Sequence, residues 1–435
     1  MLHRNRRKIR TFCRLCAKRR LFFRGKRAII AGLRLRGRLS ETGVIMYRDL
    51  TKGNITKGLL LFALPMIAGN LLQQFYNIAD TLIVGQALGK NALAAVGSAY
   101  TLMTFLTSIF LGLSMGAGAL FSIYLGKKDY GALRSAVHHA LVLIFAVTAA
   151  LNVLVYAFLD PILRFLQIPD ELYSSMREYL VIIFAGLIAT FLYNFFACLL
   201  RAVGNSVAPL WFLGTSALLN IALDLLFVLV FSWGIAGAAI ATVFAQYVAG
   251  IGITVYAGRR CREFLPGKED RRFSRKILSE ILDLSLLTCA QQSAMNFGIL
   301  LIQRLVDSFG PVTMAAFAAA VKIDSFAYLP VQDFGNAYST FTAQNYGAGN
   351  VPRIREGLYQ CSAMAIAFSI VAGVLLIWFA APLTEGFIGE YNPEVIRCSQ
   401  IFLNTSAGCY TILAMLLIYR NVQQGMGHSF IPFMA

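Results

Sequence analysis

Residues 201–209 read RAVGNSVAP and residues 424–432 read QGMGHSFIP, and the two stretches share a glycine, a serine and a proline in register. Three further segment pairs match in the same order: LLQQ with CAQQ, LGKNALAAVGSA with FGPVTMAAFAAA, and YLGKKDYGALR with NYGAGNVPRIR. The four offsets are 223, 218, 221 and 221 residues. Ordered matches at one spacing indicate an internal repeat of about 220 residues.

The composition is that of a membrane protein. Hydrophobic residues make up 58% of the 435 residues, charged residues 14%, and the mean hydropathy is +0.65, whereas ordinary soluble domains carry about 25% charged residues. Ten apolar stretches are long enough to cross a bilayer as helices. Their approximate bounds are 59–85, 91–123, 137–159, 179–200, 207–232, 235–257, 281–306, 313–341, 357–381 and 397–420. We therefore predict an all-α integral membrane protein in a lipid bilayer.

The repeat and the spans together predict the topology. An even number of spans separates the two copies, so the copies run parallel and are related by an axis along the membrane normal. We expect a first lobe at 48–257, a cytoplasmic linker at 258–280 and a second lobe at 281–435. Each copy should hold six spans; since the second copy stops three residues after Pro432, we expect two spans to be missing from this chain.

Positive charge between the spans predicts the orientation. Loops after the even-numbered spans carry most of the Lys and Arg residues, including eight between Arg259 and Lys276. Odd-numbered loops carry acids such as Asp160 and Glu385. Because cationic loops stay in the cytoplasm, we expect a multi-pass plasma-membrane protein with a cytoplasmic amino terminus.

Residues 1–47 form a basic extension with several interpretations. They contain fifteen Lys or Arg residues and one acid, which is +14 of the formal net charge of +18. The extension could be an arm held by anionic lipid, a nucleic-acid-binding tail, a transit peptide, or a non-native leader before a true start at Met46. We predict a disordered or non-native segment and no nucleic-acid partner.

Two carboxylates inside the spans are candidate functional residues. A charged side chain at membrane depth costs at least ~2.5 kcal/mol on insertion scales, so Asp80 and Asp224 each require a reason. Asn220 lies one turn before Asp224 on the same helix face, and Thr242 reaches a similar depth. Paired carboxylates in a low dielectric share protons or a cation. We predict a cation-coupling site of Asp80, Asn220, Asp224 and Thr242, with structural roles as the alternative for each.

A second set of polar residues is predicted to line a substrate cavity between the lobes. These residues are Gln73, Asn77, Gln291, Gln292, Asn296, Lys322 and Asp324. Their alternative role is to hold helices together through hydrogen bonds. The sequence contains no recognisable catalytic motif or metal-ligand pattern, so we predict neither an enzyme nor a metal site.

Several stretches resemble the multidrug and toxin extrusion (MATE) transporters. The resemblance rests on LPMIAGNLLQQFYNIADTLIVGQALG, GLSMGAGALFSIYLGKKD, RAVGNSVAP, NIALDLLF, GIAGAAIATVFAQ and QNYGAGN, and covers the chain from about Met46 onward. It implies a two-lobed antiporter with six spans in each lobe, driven by H⁺ or Na⁺ without a resident cofactor. Such an antiporter exports drug-like, amphipathic or cationic small molecules by alternating access.

The resemblance also implies roles for individual residues. Asp80 aligns with the acid of the first span, and Asn220 and Asp224 align with the Asn-x-x-x-Asp pair of the fifth. Because the seventh and tenth spans lack a membrane-depth carboxylate, the chain is more similar to the bacterial DinF-like branch than to the NorM-like branch. We expect a monomer; the alternatives are a flippase for lipid-linked precursors from the same superfamily and a non-functional transporter fragment.

Overall fold

The computed structural model describes residues 48–165, 170–388, 392–428 and 430. Residues 49–435 form one compact unit, and every contact discussed below lies within it. The interpretations of the basic extension at 1–47 fall outside the described residues.

The described residues are almost entirely helical. The helices are α1 Ile55–Gly89, α2 Ala95–Gly126, α3 Tyr130–Phe165, α4 Asp170–Ala185, α5 Leu187–Ala202, α6 Val207–Asp224, α7 Gly234–Arg260, α8 Arg275–Asp307, α9 Pro311–Gly347, α10 Val351–Ile388 and α11 Pro393–Gly425. A π-helix, Leu225–Val230, continues α6. Two 3₁₀ turns, Arg262–Phe264 and Glu269–Arg271, lie between α7 and α8.

Local sequence determines where several helices begin and end. The side chains of Asn54, Ser274 and Asn392 accept hydrogen bonds from the first free amides of α1, α8 and α11, as N-cap residues do. The backbone is not helical at Gly89, which has φ 83° and ψ −176°. Glycine adopts this conformation readily because it has no Cβ, so the chain changes direction between α1 and α2 there.

The number of apolar spans differs from the predicted ten. Among the described residues, eight helices are long and apolar enough to cross a membrane, and the bent pair α4 and α5 makes a ninth. The stretch predicted as a span at 281–306 forms most of the 33-residue helix α8, which is not among them. Its polar residues Ser285, Thr288 and Gln292 are buried against the protein, which explains how a less apolar helix is accommodated in the bundle.

The stretch predicted as one span at 179–200 is broken at Gly186. The axes of α4 and α5 differ there by 45°. A Cβ at Gly186 would overlap the side-chain oxygen of Gln246 on α7. The missing side chain therefore lets α7 pack into the bend.

Two groups of helices face each other across the molecule, and we call residues 49–257 the first half and residues 281–428 the second half. Phe62 of α1 packs in one core cluster with Tyr338 of α9, and α2 lies against α8. Gly126 and Gly347, at the ends of α2 and α9, meet at one end of the molecule. We call this the closed end, and the opposite end, which holds Gly89 and Gly310, the open end.

Candidate functional site

The four residues of the predicted coupling site come together from three helices. Asp224 is fully buried at the last residue of α6, and the carboxyl groups of Asp80 on α1 and Asp224 interact side chain to side chain. The buried Asn220 donates through Nδ2 to Oγ1 of Thr242 on α7 at 3.2 Å. Helices α1, α6 and α7 thus join the two carboxylates and the Asn–Thr pair in one cluster.

The backbone changes geometry directly after Asp224. The next six residues, Leu225–Val230, form a π-helix, a wider turn that is rare and occurs frequently at functional sites. At the end of the π-helix, the Phe231 amide donates a hydrogen bond to the Leu226 carbonyl at 2.9 Å. The Asp224 side chain therefore projects from the junction between two helical geometries.

The cluster is rich in acceptors and poor in donors. Within the described part of the chain, Asp80 Oδ1, Asn220 Oδ1 and both carboxyl oxygens of Asp224 are buried without a hydrogen-bond partner. Buried polar atoms in proteins nearly always have a partner. A proton shared by the two carboxyls, or a cation bound by these oxygens, would satisfy them. The arrangement can therefore hold a proton or a small cation.

A central cavity of about 410 Å³ lies between the two halves. Its wall contains many side-chain amides contributed by both halves. They are Asn70, Gln73, Gln74, Asn77, Asn194, Gln246, Gln292, Gln332, Asn336, Asn421 and Gln424. Two charged side chains, Arg201 and Asp333, also line it. The cavity thus offers hydrogen-bond donors and acceptors together with one cation and one anion.

A smaller cavity beside the Asn–Thr pair of the coupling cluster shares lining residues with the central cavity. It has a volume of about 120 Å³ and is lined by Asn220 and Thr242. Gln73, Asn194 and Gln246 line both cavities. Of the four residues in the coupling cluster, Asn220 and Thr242 therefore line the smaller cavity, whereas Asp80 and Asp224 do not.

The predicted cavity residues divide into two groups. Gln73, Asn77 and Gln292 line the central cavity. The other four predicted residues, Gln291, Asn296, Lys322 and Asp324, line neither cavity. Asp324 instead accepts a hydrogen bond from the Tyr410 hydroxyl on α11. The Asp324 carboxylate therefore contacts α11 instead of the wall of the central cavity. The periodicity of the helix sequence does not indicate this contact.

Asp333 was missed by the sequence analysis. It lies inside the apolar run 313–341, and only 1% of its surface is exposed. The rule that selected Asp80 and Asp224, that an acid within a span requires a reason, applies equally to Asp333. A consistent use of that rule would have placed Asp333 among the candidates beside Asp80, Asp224 and Asp324.

Comparisons with known proteins give a consistent family assignment. The family model described as MatE matches residues 65–226 and 288–435. The chain is 29% identical over 379 residues to the probable multidrug resistance protein YpnP of Bacillus subtilis, covering 87% of this chain and 84% of that protein. It is 28% identical over 335 residues to the probable multidrug resistance protein YoeA of the same organism, covering 75% of this chain and 72% of YoeA.

The fold matches a solved transporter structure. The outward-facing structure of a multidrug resistance MATE family transporter superposes with a TM-score of 0.84 at 21% identity. The alignment covers 90% of this chain and 87% of that chain. The all-helical membrane fold expected from the resemblance is therefore confirmed.

Proposed function

The chain belongs to the MatE family of multidrug efflux transporters, and on that premise we propose that it is an antiporter in which H⁺ or Na⁺ entry drives the export of amphipathic or cationic small molecules. The central cavity would hold the exported molecule. The cluster of Asp80, Asn220, Asp224 and Thr242 would hold the coupling ion.

One observation carries the coupling proposal: two interacting carboxyl groups, one of them fully buried, have oxygens without donors. Two bare negative charges on neighbouring carboxyl groups in a low dielectric repel each other strongly. Binding a proton or Na⁺ relieves that repulsion, so occupancy of the pair changes how tightly α1 packs against α6. Because α1 also lines the central cavity, ion occupancy can alter the cavity.

We further propose that the closed end faces the cytoplasm. Lys127 directly follows α2 at this end, and Arg353 lies in the first turn of α10. The connection between α7 and α8 carries the exposed Arg271 and Arg272, and the exposed Lys276 lies in the first turn of α8. Cationic loops next to spans are retained on the cytoplasmic side. The cavity would then be closed toward the cytoplasm in this conformation, which is the state that releases cargo outward.

The test measures ethidium movement in proteoliposomes containing the full chain, with an imposed pH gradient in one series and an imposed Na⁺ gradient in another. We expect one of the two gradients to drive ethidium transport. We expect Asp224→Asn to abolish the gradient-driven part while the protein stays inserted, and Asp80→Asn to weaken it and shift its pH dependence.

Asp160→Asn is the matched control. It makes the same acid-to-amide change at a carboxylate that pairs with Arg177 at the surface, and exposed ion pairs contribute little to stability. This variant should transport like the wild type. Gradient-driven transport that survives in Asp224→Asn would overturn the coupling assignment.

A further inference from the structure

Asp333 is a buried carboxylate at the junction of the two halves. It lies on α9 in the wall of the central cavity, with 1% of its surface exposed. Asn70 of α1 donates through Nδ2 to Asp333 Oδ2 at 2.7 Å, and Asn336 donates to Oδ1 at 3.4 Å. The short bond to Asn70 joins the first half to the second.

The charge of Asp333 is balanced only at a distance. Within the described residues, no Lys, Arg or His forms an ion pair with it. Arg201 interacts with it electrostatically, and Nε of Arg201 is itself buried without a hydrogen-bond partner. The direct partners of the carboxylate are therefore two neutral amides.

A purely structural role does not require this charge. An amide oxygen could accept the same bond from Asn70, and side-chain amides already form most of the polar cavity wall. A carboxylate at membrane depth is costly, and such residues commonly mark a substrate or ion pathway. A carboxylate accepts about four hydrogen bonds, and two are present here. Asp333 thus retains capacity for a donor that enters the cavity.

We propose that Asp333 binds the cationic group of the exported molecule, and that this cation competes with the Asn70 amide for the carboxylate. A positively charged donor forms a stronger hydrogen bond with a carboxylate than a neutral amide does. Cargo binding would therefore weaken the bond between α1 and α9 and help the two halves to move apart. This inference rests on the proposed export function and assigns the charge preference of its cavity.

The assigned role differs from that of the coupling pair. Asp80 and Asp224 lie on α1 and α6 of the first half, and neither lines the central cavity. Asp333 lies on the second half and faces that cavity. Substitutions at the two sites should therefore change different quantities: ion coupling at one, and discrimination by cargo charge at the other.

The experiment compares the binding of two ligands of similar shape, the protonated amine 1-adamantylammonium and the neutral alcohol 1-adamantanol, to the full purified chain by isothermal titration calorimetry. We expect Asp333→Asn to weaken 1-adamantylammonium binding by about tenfold or more, the effect typical of removing a charged hydrogen-bond partner. Binding of 1-adamantanol should change much less, because a neutral hydroxyl group can hydrogen-bond to an amide as well as to a carboxylate. Equal changes for the two ligands, or no change for the cation, would overturn the proposal.

Two further variants keep the test decisive if Asp333→Asn does not fold. Asn70→Ala removes the competing donor but keeps the charge, so it should bind 1-adamantylammonium at least as tightly as the wild type. Asp333→Glu should retain the preference for the cation. Weaker cation binding in Asn70→Ala together with lost preference in Asp333→Glu would identify the Asn70 bond as structural and refute the proposal.

Asp224→Asn separates this inference from the proposed coupling. It should lose gradient-driven transport yet keep the wild-type ratio of the two ligand affinities. If coupling is disproved while Asp333→Asn still removes the charge preference, the assignment of Asp333 stands alone.

Discussion

The closed and open ends of the interface between the two halves are built differently. At the closed end, a Cβ on Gly126 would overlap the Gln344 carbonyl, and a Cβ on Gly347 would overlap the Ile123 carbonyl. Toward the open end, a Cβ on Gly298 of α8 would have no described atom within 4 Å. Backbone therefore touches backbone at one end of the interface, while space remains at the other.

The closed-end contact follows from the internal repeat. Gly126 and Gly347 are 221 residues apart, as are Ile123 and Gln344, and this is the offset at which the two copies align. Each glycine thus packs on the carbonyl of its counterpart's helix, in the manner of a two-fold symmetric interface. Close helix approach at small residues is the usual way in which membrane helices associate.

The close contact extends inward along α2. A Cβ at Gly112 would lie 2.6 Å from Cys289 Cα, and one at Gly116 would lie 2.5 Å from Ser285 Cα on α8. Farther along α8, a Cβ at Gly298 would have no described atom within 4 Å. The two halves are therefore held together mainly near the closed end, and separation there requires these contacts to break.

The largest effect is expected from Gly126→Ala compared with Gly298→Ala. At Gly126 the new methyl group meets backbone that cannot rotate away, so we expect a loss of about 1–3 kcal/mol in stability. At Gly298 there is room, and alanine in a helix interior is favoured over glycine by roughly 0.5–1 kcal/mol. Melting temperatures of the purified chains should move in opposite directions, and a shift of the same sign in both would refute the comparison.

Gln344→Ala should have an intermediate effect. Gln344 donates to the Ala202 carbonyl at 2.8 Å and accepts from the Leu50 amide at 3.2 Å, in a buried position at the closed end. Leaving both backbone groups without a partner should cost about 1–3 kcal/mol. Hydrogen exchange of a peptide containing Leu50 should become faster in this variant.

Gln360→Ala is the control for that measurement. Gln360 accepts a hydrogen bond from the Thr56 side chain at 2.6 Å across the same interface and donates to the Glu356 side chain at 3.0 Å. Because no backbone amide near Leu50 loses its acceptor, exchange there should remain at the wild-type rate. An equal increase of the exchange rate at Leu50 in both variants would indicate that the whole interface is destabilised, and would contradict a specific role of the Gln344 hydrogen bond.

The smallest effect should come from Tyr124→Phe compared with Tyr156→Phe. The buried Tyr124 hydroxyl donates to Glu280 across the closed end, whereas the exposed Tyr156 hydroxyl donates to the Val181 carbonyl within the first half at 2.8 Å. A bond to a charged acceptor contributes about 1.5–3 kcal/mol and a neutral one about 0.5–1.5 kcal/mol.

Water can reach the half-buried acceptor residues Glu280 and Val181, so both of these contributions should be reduced. Tyr124→Phe should therefore lower the melting temperature more than Tyr156→Phe does. The reverse order would mean that contacts across the closed end contribute less to stability than contacts within a half.

The candidate coupling site was predictable because its two carboxylates are unusual within apolar spans. A carboxylate such as Asp224 within an apolar run is conspicuous, and helix periodicity places Asn220 beside it. Depth counted along each helix placed Thr242 near the level of Asp224, and in the structure Thr242 accepts a hydrogen bond from Asn220 at 3.2 Å. The π-helix after Asp224 has no comparable pattern in the sequence.

The cavity was less predictable because its wall depends on contacts between distant segments. Asn70 and Asp333 are 263 residues apart in the chain, and nothing local to either residue indicates the other. Lys322 and Asp324 were natural candidates as charged residues within a span, yet Asp324 instead accepts from Tyr410 on α11. Which face of a helix lines a cavity depends on how its neighbours pack.

The sequence by itself determined that the protein lies in a lipid bilayer, because the length of its apolar stretches is a property of the chain alone. In the same way, capping residues determined where several helices begin, and the constant offset determined the internal repeat. It also determined that acids lie at membrane depth. Only the tertiary structure decided that α4 and α5 bend at Gly186, that the repeated glycines meet at the closed end, and that Asp333 joins the two halves. These features depend on close approach between surfaces far apart in sequence, where a single methyl group or hydrogen bond selects the arrangement.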